Sequence, residues 1–490
     1  MSIPLAAAEI LSSLRHVCTS PPPLCVDLDG TLILGDLLLE SLMVLIKRNL
    51  LYLFLIPMWL LRGRSVLKAE IAARVTLNPA TLPFDRNFVA WLESERETGR
   101  SIWLCTASNE LFAERVASYL GLFEGVLASD RKVNLAGEKK AAQLVERFGE
   151  GGFDYCGNER RDIAIWKHAR AAIVVHAGSR LERAAGRYAP VLRTFPRRAS
   201  SIRSVIRALR PHQWAKNVLV LVPLLAAHRV GNLAGLATGL LATAAFCLCA
   251  SSVYVLNDLL DLEADRVHPR KSKRPFAAGD LSIITGFVLA GSLLVAAFSI
   301  STFLTVTFQL VILTYYALTL MYSVALKGIM LIDVVTLASL YTLRIIGGSA
   351  AVGIPLSFWL LSFSVFLFLS LAFVKRFVEL DVLRRQQRLR ATGRDYEVQD
   401  MAILQSMGSA AGYMSVIVLA LYINSAEIEK LYRHPTLIWI LCILMLYWIS
   451  RVWMKAQRGE VHDDPLVFAL KDRMSLAVCL LAAITVALGI

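Results

Sequence analysis

From residue 214 onward the chain is a succession of apolar blocks separated by short charged connections, near 214–231, 234–256, 282–300, 302–322, 329–352, 356–373, 407–425, 435–453 and 474–490. Nothing else in the sequence limits the fold as much. Inside a bilayer no water satisfies a bare backbone N–H or C=O, so a spanning segment must be a helix or part of a closed barrel. A crossing helix needs about 20 mostly apolar residues, and most of these blocks have that length rather than the roughly ten of a barrel strand. The reading is an all-α polytopic membrane domain of about nine transmembrane helices over 213–490. Residues 1–205 differ, carrying charge at the density of an ordinary soluble protein. The hydrophobic content of 56% and mean hydropathy of +0.56 therefore average two unlike halves.

The second block ends in Asn257-Asp258-x-x-Asp261-x-x-x-Asp265, followed by Arg266, His268, Pro269, Arg270, Lys271, Lys273, Arg274 and Pro275. On a continuing helix Asn257, Asp261 and Asp265 repeat at i, i+4 and i+8, with Asp258 about 100° round from Asn257. All four then point into one sector. Carboxylates crowded at the end of a membrane helix repel one another. The simplest compensation is a hard divalent cation, which takes oxygen ligands and leaves positions for phosphate oxygens. Mg2+ is therefore the expected cofactor, held by Asn257, Asp261 and Asp265 with Asp258 beside them. Lys271 and Arg274 supply a point charge and a guanidinium fork for a diphosphate. A cytoplasmic loop obeying the positive-inside rule would explain the basic run but not three acids and an asparagine on one face.

This motif resembles the first aspartate-rich motif of the UbiA superfamily of intramembrane prenyltransferases. Its longer form, D-R-x-H-P-x-K-x-x-R-P-x-A-x-G from Asp265 to Gly279, resembles one branch, the polyprenyl-phosphate phosphoribosyltransferases of the decaprenyl-phosphate type. Two further stretches match that branch: 209–217, with Pro211, His212, Trp214, Lys216 and Asn217, and Lys375-Arg376-x-x-Glu379-Leu380. The resemblance covers about residues 205–490. It implies phosphoribosyl diphosphate as donor and a long polyprenyl phosphate as acceptor. Commoner members join a prenyl diphosphate to an aromatic or other acceptor, which is the alternative. Where many of them carry a second aspartate-rich motif, this chain offers Glu379 and Asp381.

Further residues fall on the same side as the acid run. Tyr254 precedes Asn257 by one helical turn, Lys216 follows Trp214, Lys327 sits in a short loop, and Lys375, Arg376 and Glu379 open the loop after the sixth block. Asp333 and Arg344 lie inside the fifth block, where an isolated charge is expensive. Both substrate contact and a structural ion pair with a neighbouring helix fit them. Tyr396 and the stretch 462–465 lie in loops, read either as lid elements or as solvated connections.

Before the apolar blocks, 24–32 is a short buried-strand pattern ending in Asp27, Asp29 and Gly30, and alternating strand and helix patterns follow. Such alternation builds a parallel α/β sheet with its chemistry at strand C-termini. The run D-x-D-G-T-L resembles the haloacid dehalogenase (HAD) phosphatase superfamily, with a Rossmann-like fold. By that resemblance Asp27 attacks phosphorus and Asp29 shuttles the proton. Thr106, ending the strand from Ile102, holds the phosphoryl group, and Lys140, or Lys139 beside it, offsets the developing charge. Mg2+ would be held by Asp27, Asp29, Asn158 and Asp162. The family has G-D-x-x-x-D where this chain has Gly157-Asn158, so an active phosphatase and a docking module both fit. Residues 36–95 are expected to form a helical cap. Its stretch 50–61 is too short to span but flanked by basic residues and containing Trp59, which suits a segment that also touches the membrane surface.

The expected layout is a HAD-like phosphatase domain over 1–192, a basic linker over 193–212 and a membrane transferase domain over 213–490. The net charge of +14 sits in loops beside the apolar blocks, which favours membrane orientation and anionic phosphates over nucleic acid. Basic residues on every second connection place the first domain and the acid run in the cytoplasm, on the inner membrane. Eight cysteines without a C-x-x-C pair read as buried thiols. Met1–Pro23 lacks the pattern of a signal peptide. A membrane-tethered phosphatase is a further alternative; a transporter would show repeated halves, which are not found. Nothing in the sequence fixes the oligomeric state.

Overall fold

The computed structural model describes residues 21–196, 201–229, 231–390, 394–425, 428–461 and 464–490. The chain forms two compact units, Met1–Ala208 with Asp258–Phe287, and Leu209–Asn257 with Val288–Ile490.

The first unit is built on a six-stranded parallel sheet of β1 (Leu24–Val26), β2 (Ile102–Asn109), β3 (Gly125–Ser129), β4 (Asp154–Gly157), β5 (Ala171–Ala177) and β6 (Val191–Pro196), in the order β3-β2-β1-β4-β5-β6. Alternation along the strands divides the side chains between two cores. Leu24, Val26, Leu104, Ile173 and Val175 enter one with Phe88, Trp91 and Phe112. Cys25, Cys105, Ala172 and Val174 enter the other with Leu144, Phe153 and Trp166. Burial on both faces is what a parallel sheet requires. The order reverses at β1, which pairs with β2 on one side and β4 on the other. The crevice at such a switch point is where α/β sheets place their chemistry.

Between β1 and β2, in the stretch where the cap is expected, the chain forms helices Leu37–Arg48, Tyr52–Leu61 and Arg64–Ala72. Asp36 caps the first of them by accepting from the Leu39 N–H. The second is only 10 residues long and contains Pro57. It buries Trp59 yet leaves Phe54 79% and Leu61 90% exposed. An apolar helix turned outward in this way suits a membrane surface.

The segment 258–287 departs from its expected form. The helix Leu233–Leu260 does not run on through the acid run: Asp261 leaves helical geometry (φ −103, ψ 13) and a separate short helix, Leu262–Val267, follows. The acids therefore do not share one helical sector. Further on, within the stretch 193–212 expected as a basic linker, Ile202–Leu209 is a helix.

Seven helices of the described residues are long and apolar enough to cross a membrane: Leu233–Leu260, Ile283–Ser301, Val306–Val324, Ile332–Val352, Phe358–Arg385, Val398–Ile423 and Pro435–Gln457. The protein is a multi-pass membrane protein. Two of the nine expected spans differ. The block near 214–231 folds as a 3-10 stretch, Pro211–Leu221, and a short helix, Val222–Ala226. The last block forms Arg473–Gly489, an apolar helix of 17 residues. In the second unit, small residues set the packing: a Cβ on Gly348 would lie 1.8 Å from the Val220 carbonyl oxygen, and one on Gly408 would lie 2.2 Å from the Trp453 ring. Seven described cysteines are free, and all but Cys479 are buried.

Candidate active sites

At the C-terminal end of β1 the chain turns sharply. Gly30 adopts φ +73, and a Cβ there would meet the Asn158 side chain at 2.1 Å, so only glycine fits. Asp27 receives Lys140 Nζ at 2.8 Å, which identifies Lys140 rather than Lys139 as the lysine of this site. Lys140 also donates to the Tyr155 hydroxyl at 3.0 Å, and that hydroxyl donates to Asp162 at 3.2 Å. Asp29 accepts the Leu37 N–H at 2.8 Å and the Ser108 hydroxyl. Thr106 is fully buried in β2 and its hydroxyl accepts the Ser108 N–H at 3.0 Å.

Burial, reinforced by the like charge of Asp36, pushes the Asp29 carboxyl up to about 7, and burial with Asp27 pushes Asp162 up to about 6. A carboxyl raised in this way holds a proton near neutral pH, as a general acid requires. Asp162 accepts the N–H groups of Asn158 and Glu159 at 2.9 and 2.8 Å, so it buttresses the turn that carries Asn158. Asn158 Oδ1 is buried without a hydrogen-bond partner. A buried amide oxygen without a partner is a donor suited to Mg2+, so the residues present fit that ion. Two residues of this site carried no sequence signal, Ser108 and the cap residue Lys68, whose Nζ donates to Ala107 O at 2.5 Å and Asn134 Oδ1 at 2.9 Å.

Elsewhere in the first unit, Arg274 joins Asp258 at 3.1 Å and Asp265 at 2.6 Å, both acids being 2% exposed. Lys271 Nζ stands 4.0 Å from Asp265. Asp261 instead meets Lys47 of the cap at 2.7 Å. Arg266 makes a paired contact with Glu40, at 2.6 and 2.7 Å, and also donates to the Thr81 carbonyl. Among the described residues no three His, Cys, Asp or Glu side chains are grouped to hold a metal ion. In this arrangement guanidinium and ammonium groups provide the charge compensation that was assigned to Mg2+. Carboxylate oxygens such as those of Asp258, Asp261 and Asp265 are donors of the kind Mg2+ takes.

In the second unit the expected residues divide into two groups. Asp333 is fully buried and pairs with Arg376, and accepts the Tyr396 hydroxyl at 2.6 Å. Arg376 also pairs with Glu379 and donates to the Tyr322 hydroxyl at 2.8 Å. Of the two readings for Asp333, the structure has the ion pair with a neighbouring helix. Tyr396 is 2% exposed, an anchor rather than part of a solvated loop. Asp381 is taken by Arg384 and Arg385.

The other group gathers round a residue from the loop stretch 462–465. His462 and Asp463 lie outside the described residues, but the side chain of Asp464 is 6% exposed. Its carboxylate receives Lys216 Nζ at 2.7 Å, Lys375 Nζ at 3.3 Å and the Tyr341 hydroxyl at 3.0 Å. Although burial opposes it, Lys375 and Lys216 hold the Asp464 carboxyl well below the usual carboxylate range. Arg344 donates to Asn217 Oδ1 and the Tyr315 hydroxyl, each at 2.8 Å, and stacks on the Tyr341 ring at 5.5 Å. Tyr254 lies against the Arg210 guanidinium at 5.4 Å, and Lys327 sits half-buried in the turn Leu326–Gly328.

The model of the UbiA prenyltransferase family matches residues 218–472, just over half of the chain. An uncharacterized protein, y4nM of Sinorhizobium fredii, is 35% identical over 92% of this chain and 88% of its own length. Nodulation protein NoeC of Azorhizobium caulinodans is 37% identical over 56% of this chain and 89% of its own. The decaprenyl-phosphate phosphoribosyltransferase of Mycolicibacterium smegmatis is 33% identical over 56% of this chain and 88% of its own. The last two leave too little unmatched length for a counterpart of the six-stranded sheet domain; the first spans both parts.

Proposed function

Since the chain belongs to the UbiA prenyltransferase family, we propose that it transfers a phosphoribosyl group from phosphoribosyl diphosphate to a polyprenyl phosphate, with Mg2+, on the cytoplasmic face of the inner membrane. The observation that carries the choice of donor is the relation to the mycobacterial phosphoribosyltransferase over nearly its whole length. In the reaction a phosphate oxygen of the lipid attacks the anomeric carbon. The bond from that carbon to the diphosphate oxygen breaks, and the diphosphate leaves with the electron pair. Mg2+, when bound, offsets the charge of the leaving group. Asn257, Asp258, Asp261 and Asp265 are the residues that would hold it, and Arg274 and Lys271 answer to the phosphate charge.

The first unit is read as a phosphatase. Asp27 attacks the phosphorus of a monoester, the bond to the ester oxygen breaks, and Asp29 gives its proton to the departing oxygen; water then hydrolyses the aspartyl phosphate. The raised Asp29 carboxyl supports this reading. A lipid-linked 5-phosphoribose is a phosphomonoester, so the transfer product is a chemically fitting substrate. For the alternative, a prenyl diphosphate donor, the acids of a second full motif would be wanted, and this chain offers only Glu379 and Asp381 there. The deciding experiment supplies purified membranes with Mg2+ and each donor in turn, with mass spectrometry of the lipid product. A polyprenyl phosphate gaining a phosphoribosyl mass, or ribosyl after dephosphorylation, is expected. A product formed only with prenyl diphosphate would overturn the reading.

A further inference from the structure

Lys216, Lys375 and Tyr341 converge on one point from three separate stretches of the second unit, and Asp464 fills that point. The charges there do not balance. Lys216 is 8% exposed and Arg344 4%, and Arg344 is answered among the described residues by an amide, a phenol and a backbone carbonyl, not by a carboxylate. Two ammonium groups, those of Lys216 and Lys375, thus meet the single charge of Asp464, and the Arg344 guanidinium lies against the Tyr341 ring beside them. Buried charge left in excess is costly unless a counter-charge completes it. Asp464 also has the geometry of a stand-in. It is a two-oxygen anion receiving two ammonium donors and a phenol, as a phosphate oxygen pair would.

We propose that Lys216, Lys375 and Tyr341 form a metal-independent seat for the phosphate group of the lipid acceptor, and that the Asp464 carboxylate occupies this seat until the lipid phosphate displaces it. This rests on the reading of the second unit as a transferase with a phosphorylated lipid acceptor. A phosphate monoester carries close to two charges at neutral pH. It matches two ammonium groups better than one carboxylate does, which gives the exchange its direction. No acid other than Asp464 contacts the two lysines among the described residues, so nothing in the seat itself calls for a metal ion. Asp464 would then be a positioning residue: it keeps the two ammonium groups and the phenol aimed at one point while the acceptor is absent.

The test measures binding of farnesyl phosphate and of farnesol to the purified full chain in detergent with EDTA, for wild type, Asp464→Asn, Lys216→Met and Lys375→Met. Asparagine keeps the cap that Asp464 gives to the Leu466 N–H and the helix from Pro465, so folding is protected, and only the competing charge is removed. Wild type should bind the phosphate at least tenfold more tightly than the alcohol. Asp464→Asn should tighten the phosphate about fivefold or more and leave the alcohol unchanged, and each lysine variant should weaken the phosphate about tenfold. Equal or weaker phosphate binding by Asp464→Asn, or lysine variants that bind as wild type does, would overturn the proposal. These measurements need no donor. A chain that shows the expected binding but makes no phosphoribosyl lipid would therefore sink the transfer reaction and leave the seat standing.

Discussion

Arg274 draws Asp258 and Asp265 together, and both acids are almost wholly buried. Removing its guanidinium takes a shared cation from two buried carboxylates, and removing either acid takes a ligand from the proposed cation. Asp265→Asn should lower the transfer rate by more than about 100-fold, about 2.7 kcal/mol of barrier. Arg274→Ala should raise KM for the donor more than for the lipid. Steady-state kinetics on both substrates checks the pair; an Asp265→Asn enzyme of near-normal rate at saturating Mg2+ would remove the residue from the site. The other residue-scale expectation concerns Asp29 and Asp162, held in the fold at about 7 and about 6. Both lie above the ordinary carboxyl value, so both resist the charged form. Their penalty is absent below pH ~4 and grows as pH rises toward the folded values. In EDTA the first thermal transition should therefore fall between pH 5 and 7.5. Mg2+ should restore it, more at pH 7.5 than at pH 5, as read by tryptophan fluorescence. An unchanged transition at both pH values would mean that no cation binds beside these acids.

At the scale of the elements, helix Ile332–Val352 approaches the stretch Pro211–Leu221 so closely that Gly348 meets the Val220 carbonyl. A methyl group there must push backbone, not a flexible side chain, so Gly348→Ala should lower the melting temperature in detergent by several degrees, the usual result of overpacking at 1–3 kcal/mol. A melting curve as in wild type would show that the contact can relax. Elements of this kind were legible before the structure where pattern was strong. The strand that ends at Asp27 follows from its apolar pattern and the seven long helices from hydropathy, whereas the strand end at Thr106 follows from the resemblance. What escaped has a physical reason in each case. The acid run was expected on one helical face because i, i+4, i+8 spacing implies it, but Asp261 stops the helix and Lys47, far away in sequence, takes its carboxylate. Asp464 and Tyr396 stand in loops, where no period marks burial. Their place is set by partners at Lys216 and Asp333, which only packing brings near.

For the whole molecule, the two proposed activities predict separable defects. Asp27→Asn should stop phosphate release from the transfer product and from simple phosphomonoesters, while leaving transfer within about twofold, under ~0.5 kcal/mol. Comparing phosphate release with labelled lipid formation in the same preparation checks this, and crippled transfer would show that the activities are coupled. The boundary between them is less simple than the apolar blocks suggest. Arg266 follows the acid run directly, yet its guanidinium is satisfied by Glu40 of the cap, and Lys47 of the same cap holds Asp261. A chain cut to begin at residue 209 would retain every apolar block and lose both partners. The segment 258–287 is thus adapted to the fused arrangement. Grafted into a single-domain relative, it would carry a buried arginine to a place without its carboxylate, so the two kinds of protein should not exchange this loop freely even where their motifs read alike.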